Sequence, residues 1–304
     1  MQTSGWIVGD KPIGMTSRQM VDLVARRINH GPGGRRVPKR ERTKVGHCGT
    51  LDPLATGVLV IAVGRATRMT DLVHGTAKRY RGAFRLGCET PSGDLEFEPT
   101  PRDDLPMPDE TAIRVSATTM IGDVEQTPPA YSAVHVDGRR AYQRIREGED
   151  VAMPSRTVRI DRCDVTHCRP PDFELDVVCG NGTYLRTLGI DIARGAGSTA
   201  VMTSLRRIAV GGFTIDDAVD ADRIRDVERP LPLVPLRAIA DSVATTVATE
   251  DAVEHLRHGR RSPAPNAASI GPDEHRLVVD GSGDPVAIVR CDSGDWKPVK
   301  VFAS

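Results

Sequence analysis

The chain has 304 residues, 39% of them hydrophobic, which is enough to bury a sizeable core in one large domain or in two unequal ones. Its 41 basic residues balance 41 acidic residues, and zero net charge argues at first against a nucleic-acid partner. No stretch approaches the roughly 18 consecutive apolar residues of a membrane span. The start MQTSGWIVGDK lacks the charged region followed by an apolar region that is typical of a signal peptide. We therefore expect a cytoplasmic protein without a membrane partner.

The first predicted elements are a short strand and an amphipathic helix. Trp6, Ile7 and Val8 favour a strand that ends in a turn at residues 9–12. Thr16 or Ser17 can cap the helix that follows. The apolar stripe of this helix consists of Met20, Val21, Val24 and Ile28.

The zero net charge hides two basic segments. The first, residues 31–44, has no apolar period and predicts a mobile loop with one acid and six bases, Arg35, Arg36, Lys39, Arg40, Arg42 and Lys44. The second, residues 65–85, again has one acid and six bases, Arg65, Arg68, Lys78, Arg79, Arg81 and Arg85. Such clusters are typical of proteins that bind a phosphate backbone, although a single basic run is more often a solvated surface.

Between the basic segments, GHCGTLDPLATGVLV at residues 46–60 surrounds one carboxylate, Asp52, with glycines, a histidine and a proline. Taken alone, such an Asp is most often a turn former. Residues 58–63 predict a buried strand, and Tyr80 lies at the start of a second strand in which apolar residues alternate with arginines.

Residues 173–179 predict a further alternating strand, which breaks at Gly180-Asn181-Gly182 before a helix. Arg186 falls at the start of that helix. The helix dipole opposes a cation there, so its placement requires another reason, such as a nearby carboxylate.

The C-terminal part has a different pattern. Thr249 can cap a helix that ends at Gly259, and residues 277–279, 286–289 and 297–302 predict short strands separated by turns. We therefore expect two domains, residues 1–243 and a small β-rich domain at residues 244–304.

One carboxylate, one guanidinium and one aromatic ring make neither a hydrolase triad nor a paired-acid glycosidase site. They suit chemistry at a sugar carbon, with Asp52 as nucleophile, Arg186 orienting it, and Tyr80 stacked on a flat base. The six cysteines are scattered and favour reduced thiols. Cys163, His167 and Cys168 are close in sequence, but their spacing is not that of a zinc site, so no metal is expected.

Several motifs carry a family resemblance. The Asp52 motif is preceded by DKPIGMTS and followed by KRYRGAFRLG, and QTPPAYSAVHVDGRRAY, NGTYLRTLGIDIA and LRRIAVGGF come later in that order. Together they resemble the bacterial tRNA pseudouridine synthase B family, the pseudouridine-55 synthases. LRHGRR at residues 256–261 and KPVKVF at residues 297–302 resemble the C-terminal RNA-binding domain of this family, which is of the PUA type.

The resemblance implies roles for five residues. Asp52 matches the catalytic aspartate, which attacks the target uridine or stabilises its ribose while the N-glycosidic bond breaks and uracil re-bonds through carbon 5. Tyr80 matches the tyrosine that stacks on the flipped uracil, and Arg186 the arginine that pairs with the aspartate. Leu205 matches the leucine beside the base, and His47 a histidine that helps to hold the flipped conformation.

The resemblance also implies an α+β fold, with a mixed, largely antiparallel sheet flanked by helices and a PUA-like C-terminal domain. The implied substrate is uridine 55 in the T-arm stem-loop of tRNA. The implied reaction needs no cofactor or metal. No protein partner is implied, and since nothing in the sequence demands more than one copy, we expect a monomer. Basic residues would offset the few kcal/mol that base flipping costs. The candidates for backbone contacts are Lys11, Arg35, Arg36, Lys39, Arg40, Arg42, Lys44, Arg65, Arg68 and Lys78.

Two departures from the family pattern concern affinity more than chemistry. His135 stands where the family usually has lysine, which makes a phosphate contact there weaker and pH-dependent. Val201 stands in a stretch where the family often has Gly-Ala-His.

Two other functions are compatible with parts of this pattern. The first is a non-catalytic RNA-binding module. The second is a nucleoside hydrolase, which requires a second acid near Asp52 or a calcium-type aspartate cluster, and the sequence shows neither.

Overall fold

The computed structural model of the chain describes residues 3–30, 35–129, 131–132, 135–136, 139–140, 144, 147–149, 151–264 and 274–302. Its helices are α1 (Ser17–Asn29), α2 (Thr70–Gly75), α3 (Glu110–Thr119), α4 (Leu185–Gly195), α5 (Ala221–Arg225) and α6 (Glu250–Arg257). Within these ranges, no helix is both long and apolar enough to cross a bilayer.

The strands of the main body are β1 (Gly5–Lys11), β2 (Val45–His47), β3 (Ala55–Val63), β4 (Lys78–Leu86), β5 (Cys88–Glu89), β6 (Thr100–Pro101), β7 (Gly122–Gln126), β8 (His135–Val136), β9 (Arg139–Arg140), β10 (Arg156–Arg169), β11 (Asp172–Cys179), β12 (Ala200–Val210) and β13 (Phe213–Thr214). Those of the C-terminal part are β14 (Thr245–Val247), β15 (Ser262–Pro263), β16 (His275–Val279), β17 (Pro285–Asp292) and β18 (Asp295–Val301).

Nine of the described strands form one sheet in the order β1-β3-β12-β4-β11-β10-β7, with β2 beside β3 and β13 beside β12. All of its neighbouring pairs are antiparallel except β3 and β12, which are parallel. Helices α3 and α4 pack together on strands of this sheet. The expected α+β architecture with a mixed, largely antiparallel sheet is confirmed.

Helix α1 forms where its pattern predicts. The Thr16 hydroxyl accepts a hydrogen bond from the Gln19 backbone N–H at 3.1 Å, which caps the helix. Met20 and Val24 are fully buried against the apolar face of β1 and β3. Strand β1 is longer than expected: the predicted turn at residues 9–12 is wrong for its first part, because residues 9–11 pair with residues 57–59 of β3.

The C-terminal strands form a five-stranded sheet in the order β14-β16-β17-β18-β15, and the predicted helix and three strands are all present. One face of this sheet packs on α6, with Leu256 against Trp296 in a small core. The other face joins the core of the main sheet, where Leu277, Phe302 and Trp6 share one cluster. The division at residue 243 stays a prediction, because the two sheets bury a common apolar surface.

The basic face predicted for β4 is largely neutralised by neighbouring strands. Asp176 on β11 accepts hydrogen bonds from Arg79 at 2.8 Å and from Arg162 at 2.6 Å, and Arg81 lies 3.3 Å away. Further along the same strands, Arg85 pairs with Asp172 at 2.9 Å. These arginines therefore stabilise the sheet by cross-strand pairing.

Replacement of Asp176 by asparagine tests this network. The hydrogen bond from Arg79, with those from Arg162 and Arg81, outweighs burial and lowers the pKa of Asp176 from 3.8 to about 2. The carboxylate therefore stabilises the fold above about pH 4 and loses that contribution as the pH falls towards about 2. We expect Asp176→Asn to lower the free energy of unfolding by about 2 kcal/mol at pH 7.

Urea denaturation between pH 7 and pH 3 measures this effect. The difference between the variant and the wild type should shrink as the pH falls below about 4. The matched control is Asp172→Asn, which removes a half-exposed partner of one arginine and should cost less than about 1 kcal/mol. A cost for Asp176→Asn that does not change with pH contradicts this account.

Candidate active site

Asp52 lies in the loop between β2 and β3, which is held by hydrogen bonds on both sides of the residue. The buried Ser17 hydroxyl accepts from the Leu51 backbone N–H at 2.8 Å and donates to the Leu51 carbonyl at 3.0 Å. The Lys11 amine donates to the Pro53 carbonyl at 3.2 Å. The Asp52 side chain itself is 40% exposed, so the loop presents this carboxylate to solvent from a fixed base.

Arg186 is the second residue of α4, and its side chain is only 5% exposed. Its Nη2 lies 3.0 Å from Asp52 Oδ2, and its Nε lies 3.6 Å from Asp94 Oδ2. It also donates to the carbonyls of Ser92 at 2.7 Å and Tyr131 at 3.1 Å. The sequence suggested a nearby carboxylate as one reason for a cation at this helix start, and the structure places two carboxylates there.

Tyr80 and Leu205 lie on neighbouring strands, and both are more than 90% buried. Leu205 of β12 faces Gly82 of β4 and Ala55 of β3 in the sheet register. One cleft is lined by Asp52, Tyr80, Arg186 and Leu205, together with Lys78, Arg156, Tyr184, Arg207 and the turn at residues 180–182. The structure thus brings together four of the five residues that the family resemblance singles out.

Arg207 is a fully buried cation in the floor of this cleft. Its Nε donates to the Val58 carbonyl at 2.6 Å, and its Nη2 donates to the Gly49 carbonyl at 3.0 Å. Burial raises the pKa of Tyr80, while the charge of Arg207 and its hydrogen bond to the phenol oppose that rise. Tyr80 is therefore a neutral phenol at pH 7.

Lys11 and Lys78 do not provide the surface contacts that the sequence suggested, because both side chains are buried. The Lys11 amine donates to the carbonyls of Pro12 at 3.0 Å, Met15 at 2.6 Å and Pro53 at 3.2 Å. Burial lowers the pKa of each lysine to about 8. Lys11 holds the chain beneath Asp52, and Lys78 lines the cleft, so neither extends to an RNA backbone on the surface.

His47 is the fifth residue of the resemblance, and it is not among the residues that line the cleft. It ends β2 and is half-buried, and its Nδ1 is enclosed without a hydrogen-bond partner among the described residues. Burial, followed by the charge of Arg207, lowers the pKa of His47, which favours the neutral ring at pH 7. Its role in holding a flipped loop stays a prediction.

The two basic segments differ in what they leave open to a ligand. The six bases of the first segment are all exposed: Arg35, Arg36, Lys39, Arg40, Arg42 and Lys44. In the second segment, Arg65 donates to the Phe302 carbonyl at 3.0 Å, and the exposed Arg68 lies 5.9 Å from the Phe302 ring centroid. Residues 31–34 of the predicted mobile loop lie outside the described residues, and Lys39–Glu41 form a 3-10 turn.

Other sequence expectations fall away from the cleft or outside the described residues. Cys163 and Cys168 are buried in the core and His167 is exposed on the same strand. In the part of the chain that the structure describes, no three His, Cys, Asp or Glu side chains are placed to hold a metal ion. Val201 is buried opposite Arg85, and the side chain of His135 lies outside the described residues.

Comparison with known proteins identifies the family. The family described as TruB family pseudouridylate synthase, N-terminal domain, matches residues 35–185. A tRNA pseudouridine synthase B of Arthrobacter sp. (strain FB24) is 35% identical over 313 residues, which cover 99% of this chain and 97% of that protein. The chain belongs to the TruB family of pseudouridine synthases. It is therefore an enzyme of the class that isomerises uridine in RNA.

Other relatives agree with this assignment. The tRNA pseudouridine synthase B of Rhodopirellula baltica is 47% identical over 216 residues, 71% of this chain and 60% of that protein. Among solved structures, a chain of a Cbf5-Nop10-Gar1 complex matches with a TM-score of 0.72 at 22% identity, covering 98% of this chain and 84% of that one. At that identity the likeness concerns the fold, and it confirms the pseudouridine synthase architecture expected of a TruB-family chain.

Four residues of the cleft region did not emerge from the sequence as candidates: Asp94, Arg156, Tyr184 and Arg207. Asp94 lies in an acidic segment without periodicity, so nothing distinguishes it from its neighbours. Tyr184 and Arg207 lie inside the quoted motifs NGTYLRTLGIDIA and LRRIAVGGF, where a residue-by-residue interpretation could have found them. Arg156 lies over the Tyr184 ring, 5.1 Å from its centroid.

Substitution of Arg186 by lysine tests how the site is held. Lysine keeps the charge but presents a single compact ammonium group, so it cannot replace the four contacts of the guanidinium. Loss of these contacts removes the guanidinium that lies beside the buried Asp94 carboxylate. We expect Arg186→Lys to lower the free energy of unfolding by about 2–4 kcal/mol, measured by urea denaturation.

Arg194→Lys in the same helix is the matched control. This arginine is 68% exposed and pairs only loosely with Asp191, at 3.6 Å. The control should change stability by less than about 0.5 kcal/mol. Equal effects of the two substitutions would show that Arg186 does not hold the loop and the helix together.

Proposed function

We propose that this chain converts uridine 55 in the T-loop of tRNA to pseudouridine. Relatives that align over nearly the whole chain are named tRNA pseudouridine synthase B, which supports tRNA as the substrate. The choice of position 55 follows the motif resemblance. The observation that carries the proposal is the 3.0 Å ion pair between Asp52 and Arg186 at a cleft floored by Tyr80 and Leu205.

In the proposed reaction, Asp52 is the catalytic carboxylate and Arg186 pairs with it and orients it. The bond between N1 of uracil and C1′ of ribose breaks, and uracil takes the electron pair. Asp52 either attacks the target uridine or stabilises the ribose while uracil is detached. The uracil then turns, a bond forms between C5 and C1′, C5 loses its proton and N1 gains one. No electron is exchanged with another molecule, so the balance requires no redox cofactor.

Tyr80 and Leu205 suit the flipped base. Both lie on the floor of the cleft, where a planar ring and a branched apolar side chain offer stacking and packing surfaces. Because burial raises the pKa of Tyr80, its phenol is protonated at pH 7 and offers a hydrogen-bond donor to the substrate.

The C-terminal sheet is part of the proposal. We assign residues 244–304 to a PUA-like RNA-binding domain that contacts the T-arm while residues 1–243 carry the reaction. The exposed bases of the first basic segment would contact the RNA backbone. The proposal assigns both the reaction and the RNA contacts to a single copy of the chain.

The two other functions make different predictions. An RNA-binding module would retain all of its activity without Asp52. A nucleoside hydrolase would release free uracil and requires a second acid; Asp94 is near, but its carboxylate is 5% exposed and faces Arg186 rather than the cleft. The TruB family assignment and this placement favour the isomerase.

The Asp52→Asn variant tests the proposal. The amide keeps the shape of the side chain but lacks the charge and the nucleophilic oxygen, so pseudouridine formation should fall by at least about a thousandfold. A tRNA transcript is incubated with each protein and read for pseudouridine at each uridine, and tRNA binding is measured alongside. The wild type should modify position 55 alone, and the variant should bind tRNA with a similar dissociation constant.

A transcript with cytidine at position 55 is the substrate control, since it should yield no product. Asp71→Asn is the protein control, because this exposed acid pairs with Lys300 away from the cleft and should leave the rate unchanged. Free uracil in place of pseudouridine would overturn the isomerase, and full activity of Asp52→Asn would overturn the role of the carboxylate.

A second prediction concerns Ser17, which positions the Asp52 loop. Ser17→Ala leaves the buried Leu51 N–H and carbonyl without their partner, which should cost about 1–3 kcal/mol of stability and loosen the loop. We expect kcat to fall about tenfold while KM for tRNA stays within about twofold, because a misplaced catalytic group affects the chemical step.

The matched control is Thr16→Ala, one residue earlier. It removes the cap of the same helix at a similar cost of about 1 kcal/mol, but it breaks no hydrogen bond to the loop. Its kcat should equal that of the wild type. If both variants lost kcat equally, the effect would come from helix stability and not from the loop contact.

A further inference from the structure

A groove on the outer face of α1 collects basic side chains that have no part in the cleft. It is lined by Arg18, Arg26, His30, Arg36 and Arg42, with Asp22 as the one acid among its described lining residues. The four arginines are all exposed. Two come from α1, and two come from the segment that follows it, so the helix and the basic segment form the two walls.

Most of this positive charge is not neutralised. Asp22 pairs with Arg18 at 2.9 Å. The other three arginines have no carboxylate within 4.0 Å among the described residues, in contrast to the paired arginines of β4. Arg36 lies 3.4 Å from the His30 ring, and Arg42 donates one bond to the Val37 carbonyl at 2.9 Å. Each guanidinium carries five N–H donors, so most donors remain open to a ligand.

The groove is connected to the Asp52 loop through the start of α1. Ser17 holds the loop of Asp52 through Leu51, and Arg18 is the next residue of the same helix. Arg26 lies eight positions after Arg18, which corresponds to about 12 Å along the helix axis. One strand of a nucleic-acid duplex advances about 3.4 Å per phosphate, so the groove is long enough for several consecutive phosphates.

The lining favours a phosphodiester backbone over a protein partner. Arginine donates several N–H groups in a fixed plane, which suits phosphate oxygens. A stable protein interface requires an apolar centre, and among the described residues that line the groove only the half-buried Ala25 is apolar. The charge and the length therefore fit a strand of RNA.

We propose that this groove binds the phosphate backbone of the tRNA strand that leads into the cleft at Asp52. The assignment rests on the proposed function, because it takes the RNA that the cleft would modify as the ligand. It gives α1 a role in RNA binding through Arg18 and Arg26, and it places Arg36 and Arg42 on the same path.

The test compares two full-length triple variants that remove the same charge. The groove variant is Arg26→Gln, Arg36→Gln and Arg42→Gln. The control is Arg85→Gln, Arg114→Gln and Arg169→Gln, three exposed arginines that lie away from both the groove and the cleft. The dissociation constant for a tRNA transcript is measured for each protein between 50 and 300 mM KCl (roughly the range over which phosphate contacts are resolved by their salt dependence).

The groove variant should bind at least about tenfold more weakly at 100 mM salt, and the slope of log K against log salt should become less steep by about 2–3. The control should match the wild type in both. If the groove variant binds like the wild type, or if both variants lose affinity equally, the groove does not bind the backbone. Pseudouridine formation by the wild type, read in the same samples, shows separately whether the proposed function holds.

Discussion

The ion pair of Arg186 with Asp52 and Asp94 is the contact on which the arrangement of the cleft depends. A guanidinium that is buried at the start of a helix is opposed by the helix dipole and by its own desolvation. Two carboxylates and two carbonyls offset those costs, and they come from three separate segments of the chain. The loop of Asp52, the turn of Asp94 and the start of α4 are therefore held at one point.

The packing behind this point is equally specific. Helix α4 lies on the main sheet at Gly189, where a Cβ atom would come within 2.0 Å of the Phe84 ring. A glycine there lets the helix approach β4 closely enough for Arg186 to reach Asp52. The position of the helix is thus determined by the close backbone approach at Gly189 and by the ion pairs of Arg186, three positions earlier in the helix.

Most of the fold follows from local patterns in the sequence. Alternating apolar residues predict β4 and β11, and the cap at Thr16 together with a buried stripe predicts α1. Even the burial of Lys78 follows from alternation, since Lys78 shares the inward face of β4 with Tyr80; its charge alone suggested the surface. What local patterns cannot supply is a contact between distant segments, and for that reason Asp94 did not stand out before the structure placed it beside Arg186.

The distribution of charge within the cleft explains how a chain of zero net charge can act on a polyanion. Among the described lining residues, Asp52 is the one carboxylate, whereas four are cations: Lys78, Arg156, Arg186 and Arg207. In the proposed reaction, uracil leaves ribose with the electron pair of the broken bond and so carries negative charge. Cations that are fixed in a poorly solvated floor stabilise such charge more strongly than water-exposed ones.

Burial does not remove the charge of the lysine in this floor. Lys78 has a pKa of about 8, so most of it is still protonated at pH 7. The charge of Arg186 is paired with two carboxylates, whereas Lys78 and Arg207 lie beside Tyr80, where the base would stack. The cations in the floor of the cleft are therefore suited to stabilise the detached uracil, while Arg186 holds the Asp52 carboxylate at the rim.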